Sequence, residues 1–144
     1  MIGKNIASLR RLHHLTQEEL AEKAGVSRQT VAKWESGEST PDLASCCTLV
    51  ELFDVTLDNL VLYDGQGTGL PVPPRGKHFF GAVTVGERGQ IHLPRKARDI
   101  FGIHPGDQLL VLGDEDRGLA LLHQRDLLRF VGAAGVSPTE EERT

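Results

Sequence analysis

A chain of 144 residues with 39% hydrophobic content can build one ordinary domain or two small ones. No apolar run reaches the roughly 18 residues that span a bilayer, and the start Met1-Ile-Gly-Lys4 lacks the basic-then-apolar profile of a secretory leader. Cys46 and Cys47 are neighbours and cannot staple distant segments, so a disulfide scaffold is excluded and a reducing cytoplasm is expected.

The formal net charge of −4 argues at first against a nucleic-acid partner, but its distribution is polar. Residues 1–35 hold six Lys or Arg against four acids, whereas residues 36–62 hold no base and five acids. An acidic half of one domain can face away from a phosphate backbone that its basic half approaches.

Ile2, Ile6 and Leu9 recur at helical spacing and predict a first helix running to about His13. Thr16 and Glu19 form a capping box, which starts a second helix over Gln17 to Ala24, and Gly25 stands where a left-handed residue closes it. Ser27 can then cap a third helix from Arg28 to about Ser36. Thr40-Pro41 reads as the cap and first position of a fourth helix, with Leu43, Cys46, Cys47, Val50 and Phe53 on one face and an end near Asp54. Both cysteines are expected as small buried hydrophobes there. Thr56 caps a short fifth helix carrying Leu57, Leu60 and Val61.

From Asp64 the composition turns rich in glycine and proline, the mark of a flexible linker. Beyond it the period becomes two: Val83 and Val85, a turn at Glu87-Arg-Gly89, then Ile91 and Leu93, which predicts a hairpin. Pro94 opens a short helix with Ala97, Ile100 and Phe101 on one side, closed by Gly102. Leu109–Leu112 and Leu119–Leu122 predict a second strand pair, and Leu127, Leu128 and Val131 a terminal helix. The expected class is α+β in two domains: an all-α five-helix domain over 1–63, a linker over 64–77, a β-rich domain over 78–131 and a flexible tail over 132–144.

The third helix carries the chemistry. At about 100° per residue, Arg28, Gln29, Ala32 and Lys33 share one arc while Thr30, Val31 and Trp34 share the opposite one. Arginine can donate twice to guanine O6 and N7, and glutamine can pair with adenine N6 and N7. An outward Arg28, Gln29 and Lys33 therefore suit base reading in a major groove, with Trp34 and Val31 as core anchors. Gln17 and Ser27 stand at helix N-termini, where unpaired amides and the helix dipole attract a phosphate. The chain offers no zinc-like spacing among its six histidines and no phosphate loop with its lysine, so neither metal nor cofactor is expected and the reading is of a non-enzyme.

The run from Leu15 through Gly25-Val-Ser-Arg28 and Trp34 to Glu38 resembles the phage-repressor and Cro-type (XRE) helix-turn-helix. That resemblance covers about residues 2–62 and implies a lambda-repressor-like domain with Gln17, Ser27, Arg28, Gln29, Thr30 and Lys33 at DNA-contacting positions. It also implies an Arg10–Glu35 pair tying the first helix to the third. The run from Val83 to Asp107 resembles the AbrB, MazE and SpoVT swapped-hairpin (double-psi-like) family over about 80–123. Four short strands and one short helix bury little alone, and intertwining two copies supplies a core, so a homodimer through this half is expected. Gln90 and Asp99 stand where DNA-binding members carry arginines, so a pure dimerisation role is expected of this half, with the remaining Arg88, Arg95, Lys96 and Arg98 as a second DNA surface in the alternative. The expectation is a cytoplasmic, nucleoid-associated dimer on double-stranded DNA, with no membrane partner. An antitoxin that neutralises a partner toxin is the rival reading, and a sensor of a small-molecule effector a further one.

Overall fold

A computed structural model describes residues 1–65 and 67–129 of the chain. These fall into two units, Met1–Ala82 and Val83 onward. In the first, the helices are α1 (Ile2–Leu12), α2 (Gln17–Ala24), α3 (Arg28–Ser36), α4 (Leu43–Phe53) and α5 (Leu57–Leu62). Their ends follow local chemistry. The Thr16 hydroxyl accepts from the Glu19 amide at 3.1 Å while the Glu19 carboxylate accepts from the Thr16 amide, which completes the capping box of α2. Gly25, at φ 71°, reverses the chain between α2 and α3 in the left-handed region that glycine enters without a Cβ clash.

The fourth helix begins later than its sequence suggests. Asp42, not Thr40, is its N-cap and accepts from the Ser45 amide at 2.8 Å. Thr40-Pro41 and Asp42 both satisfy the local start rule, and the carboxylate one residue beyond the proline takes the role. The face of α4 shifts accordingly: Cys46, Leu49, Val50 and Phe53 are buried, whereas Leu43 and Cys47 are exposed. The expectation of a buried Cys47 is thus corrected. In α5, Leu60 is the fully buried residue.

The core joins Ile6, Leu9, Leu20, Val31, Trp34, Leu49, Phe53, Val55 and Leu60. Two residues of α1 set its fit against the others. Asn5, a buried amide, donates to the carbonyls of Leu60 and Tyr63, both at 3.0 Å, and so satisfies acceptors that α5 leaves open at its end. Gly3 permits close approach, because a Cβ there would collide with the backbone carbonyl oxygen of Trp34. A carbonyl in a packed helix cannot swing aside as a flexible side chain can. Gly3→Ala is expected to cost about 1–3 kcal/mol, as overpacking does. The loss should appear as a fall of at least roughly 4 °C in the helical melt followed by circular dichroism.

The stretch read from composition as a flexible linker carries contacts that composition does not announce. Val72 is 2% exposed and joins the helical core, a burial worth roughly 1.5–3 kcal/mol. Arg75 donates from its amide to the Asp54 carbonyl at 2.9 Å and from Nε to the Val55 carbonyl at 3.0 Å. The Tyr63 hydroxyl donates to the Leu70 carbonyl at 3.2 Å, and the Tyr63 ring meets Phe79 edge-on.

In the second unit, α6 (Arg95–Phe101) follows Pro94 and ends at Gly102 in the left-handed region, as the sequence predicts. β1 (Leu109–Asp114) and β2 (Gly118–His123) pair antiparallel, with Leu110 opposite Leu122 and Leu112 opposite Ala120. A 3-10 turn over Gln124–Asp126 follows, with Leu127 and Leu128 helical beyond it. Val131 and the tail over 132–144 lie outside the described residues.

The earlier hairpin is present only as its turn. The Gly86 amide donates to the Gln90 carbonyl at 2.8 Å, but Val83–Val85 and Ile91–Leu93 form no ladder. Two strands alone are marginal in water, and here their apolar residues are uncovered: Val83, Val85 and Ile91 are all exposed. The same holds across the unit, where Ala97 is buried but Ile100, Phe101, Val111, Leu119 and Leu128 face solvent.

Candidate nucleic-acid interface

The face of α3 divides as its periodicity predicts. Val31 is 0% exposed and Trp34 3%, so the helix is anchored from behind, while Arg28, Gln29 and Lys33 are exposed and Ala32 is half-buried. Three long polar side chains therefore leave one side of a short, capped helix. Ser27 accepts from the Thr30 amide at 3.2 Å, and the two hydroxyls meet at 2.9 Å. Thr30 is half-buried, with its hydroxyl against that of the exposed Ser27 at the start of the helix.

Behind this face one carboxylate ties three helices. Arg10 of α1 meets Glu35 of α3 in a forked pair, Nε to Oε1 at 2.6 Å and a terminal nitrogen to Oε2 at 3.1 Å. Arg10 also donates to the Leu15 carbonyl at 2.9 Å, which fixes the turn into α2. Gln17, the first residue of α2, donates from Nε2 to Glu35 Oε2 at 2.9 Å. Burial pushes the Glu35 carboxyl up, but the bonds from Arg10 and Gln17 outweigh it and hold the group below the usual carboxylate range. Arg10 is raised by the same bond to Glu35.

Gln17 was expected as a phosphate contact alone, and its link to Glu35 has no signal in local sequence. The bond uses one of the two amide hydrogens of Gln17.

The second basic group is less uniform than its sequence suggests. Arg88 and Lys96 are exposed, and Arg95 lies 3.8 Å from Asp99 one turn along α6. Arg98 differs: its Nε is buried and lacks a hydrogen-bond partner among the described residues. Among those residues no group of His, Cys, Asp or Glu could hold a metal ion, and no helix is long and apolar enough to cross a membrane.

The family model described as helix-turn-helix matches residues 6–60, and the one described as antidote-toxin recognition MazE, bacterial antitoxin, matches residues 82–127. The chain is 42% identical over 55 residues to an uncharacterized HTH-type transcriptional regulator of Methanocaldococcus jannaschii, covering 38% of this chain and 83% of that protein. It is 41% identical over 59 residues to the HTH-type transcriptional activator BcrR of Enterococcus faecalis, covering 41% of this chain and 29% of that one. It is 39% identical over 61 residues to the antitoxin PezA of Streptococcus pneumoniae, covering 42% of this chain and 39% of that one. The chain thus spans less than half the length of BcrR and PezA.

Proposed function

We propose that this chain, which belongs to the helix-turn-helix family of HTH-type transcriptional regulators, is a cytoplasmic, sequence-specific DNA-binding regulator without catalytic activity. The observation that carries the reading is the split face of α3, with Trp34 sealed in the core and Arg28, Gln29 and Lys33 in solvent. In this reading Arg28 and Gln29 contact base edges, Lys33 a base or phosphate, and Gln17, Ser27 and Thr30 fix the register of the backbone.

Two copies would join through residues 83–129, where the exposed Val85, Val111, Leu119 and Leu128 of one chain find cover in another. Two copies of α3 would then enter successive major grooves about 34 Å apart or a multiple of that. Arg88, Arg95 and Lys96 could add phosphate contacts in such a dimer, while the buried Nε of Arg98 argues for a packing role.

Selection from random double-stranded DNA by the full chain tests the reading. A two-fold symmetric motif should be enriched, and affinity for it should fall steeply with salt, by a log–log slope near the number of phosphates contacted. Enrichment of no motif above background would falsify it. A second reading follows from the match of residues 82–127 to the MazE antitoxin description: this half binds a partner toxin while α3 reads the promoter of the pair. Co-purification with the product of an adjacent toxin-sized reading frame distinguishes it.

A further inference from the structure

The Gly/Pro-rich stretch of such a chain is ordinarily a loose tether, yet here it is folded onto the helical unit along much of its length. Tyr63 holds the Leu70 carbonyl, Val72 enters the core, Arg75 makes two hydrogen bonds to the loop that ends α4, and Phe79 packs on Tyr63. Arg75 also lies 3.8 Å from the Asp54 carboxylate. These anchors are spread over residues 70–79, and the first unit continues to Ala82 before the second starts at Val83. Pro71, Pro73 and Pro74 restrict the chain between the anchors, so little backbone freedom is lost when the strap docks.

We propose that this docked strap is a specificity determinant: by holding Leu70 through Phe79 on the helical unit, it shortens the tether and dictates which half-site spacings a dimer accepts. The inference rests on the DNA-binding dimer proposed above. Free, residues 64–77 would span about 20 Å root-mean-square and let each helical unit find its half-site independently. Docked, three residues, 80–82, separate the last anchor at Phe79 from the start of the second unit at Val83, at most about 14 Å of extended chain. A short tether makes the second recognition event sensitive to geometry, because a site it cannot reach gains nothing from the first.

The test measures affinity of the full chain for its selected half-sites placed at a series of centre-to-centre spacings. Three kinds of protein are compared: the unaltered chain, Arg75→Ala combined with Phe79→Ala, and a chain with eight Gly/Ser residues inserted between Ala82 and Val83. The double variant removes the Arg75 hydrogen bonds and the Phe79 ring contact and leaves Val72 in place, and a cooperative helical melt confirms that the unit folds. Val72→Ser adds a stronger release.

The unaltered chain should lose roughly tenfold or more in affinity when the spacing moves by half a helical turn, whereas the released and lengthened chains should vary by about threefold or less. A broad spacing profile for the unaltered chain overturns the proposal. So does a sharp profile for the folded strap variants beside a broad one for the insertion. Failure of the unaltered chain to prefer its half-sites over scrambled DNA at any spacing overturns both the strap and the DNA-binding reading, which separates the two failures.

Discussion

Replacing Arg28 and Gln29 together by alanine is expected to lower the affinity of the full chain for its selected site by at least about 30-fold, toward its affinity for scrambled DNA. Each good two-point contact to a base edge is worth about 1–3 kcal/mol, so two lost contacts remove no less than about 2 kcal/mol of discrimination. The same change should leave the fold almost untouched. Both side chains are exposed, on the side of α3 opposite the buried Val31 and Trp34, and substitutions at such positions fall within about 0.5 kcal/mol in stability. Lys33→Ala offers the contrast: as a phosphate contact it should weaken binding to cognate and scrambled DNA alike and make the salt slope shallower by about one. Gel-shift titrations beside thermal melts check all three. Unchanged discrimination in the double variant ends the assignment of α3 as the reading helix.

Glu35→Ala should be far more damaging to stability. The Arg10 and Glu35 side chains are 13% and 8% exposed, and removing the carboxylate leaves a sequestered guanidinium with only its bond to the Leu15 carbonyl of the three it makes. Breaking such a pair costs about 3–5 kcal/mol, a large share of the 5–15 kcal/mol that holds an ordinary domain. The pair also gives a dependence on pH. Because the folded environment lowers the Glu35 pKa, the unfolded chain takes up the proton first as acid is added. The contribution is therefore complete above the ordinary glutamate pKa of about 4.3 and is lost as pH falls through the lower, folded value. Urea unfolding of the intact chain should show this decline. In Glu35→Gln the part of the acid slope due to this group should be absent, and an unchanged slope would show that Glu35 is not its source.

What the sequence discloses about this fold is what is decided within a few residues. Thr16, Glu19 and Gly25 fix α2 to the residue because a capping box and a left-handed glycine close over one turn, and the split face of α3 follows from spacing alone. The start of α4 differs from its sequence expectation because two local rules compete there and Asp42 takes the cap. Cys47 is exposed against expectation because a helical stripe of five apolar residues is wider than the face that the other helices can cover. Gly3 carries no local signal, since its need arises from a carbonyl on α3. The same is true of Val72 and Arg75, whose partners lie in the core and at the end of α4, and of the Gln17 bond to Glu35. Composition reports how readily a segment bends, but not whether another element offers it a place to pack. The flanks of the turn at Gly86 alternate apolar residues in period two, a pattern that predicts a hairpin, yet they form no ladder. Val83, Val85 and Ile91 lie exposed there, and whether another surface covers a strand is not written in the segment's own pattern.

The contrast between the two halves reaches further than the fold. The helical unit seals Ile6, Leu20, Leu49 and Leu60 completely, so its survival is indifferent to how many copies surround it. The other half leaves Leu119 81% and Leu128 72% exposed, and what shields them in the assembly proposed above is a second molecule. Mass action then governs that half alone. On dilution a cell would keep an intact reading head while losing the pairing that gives it grip, so abundance itself would tune promoter occupancy before any signal arrives.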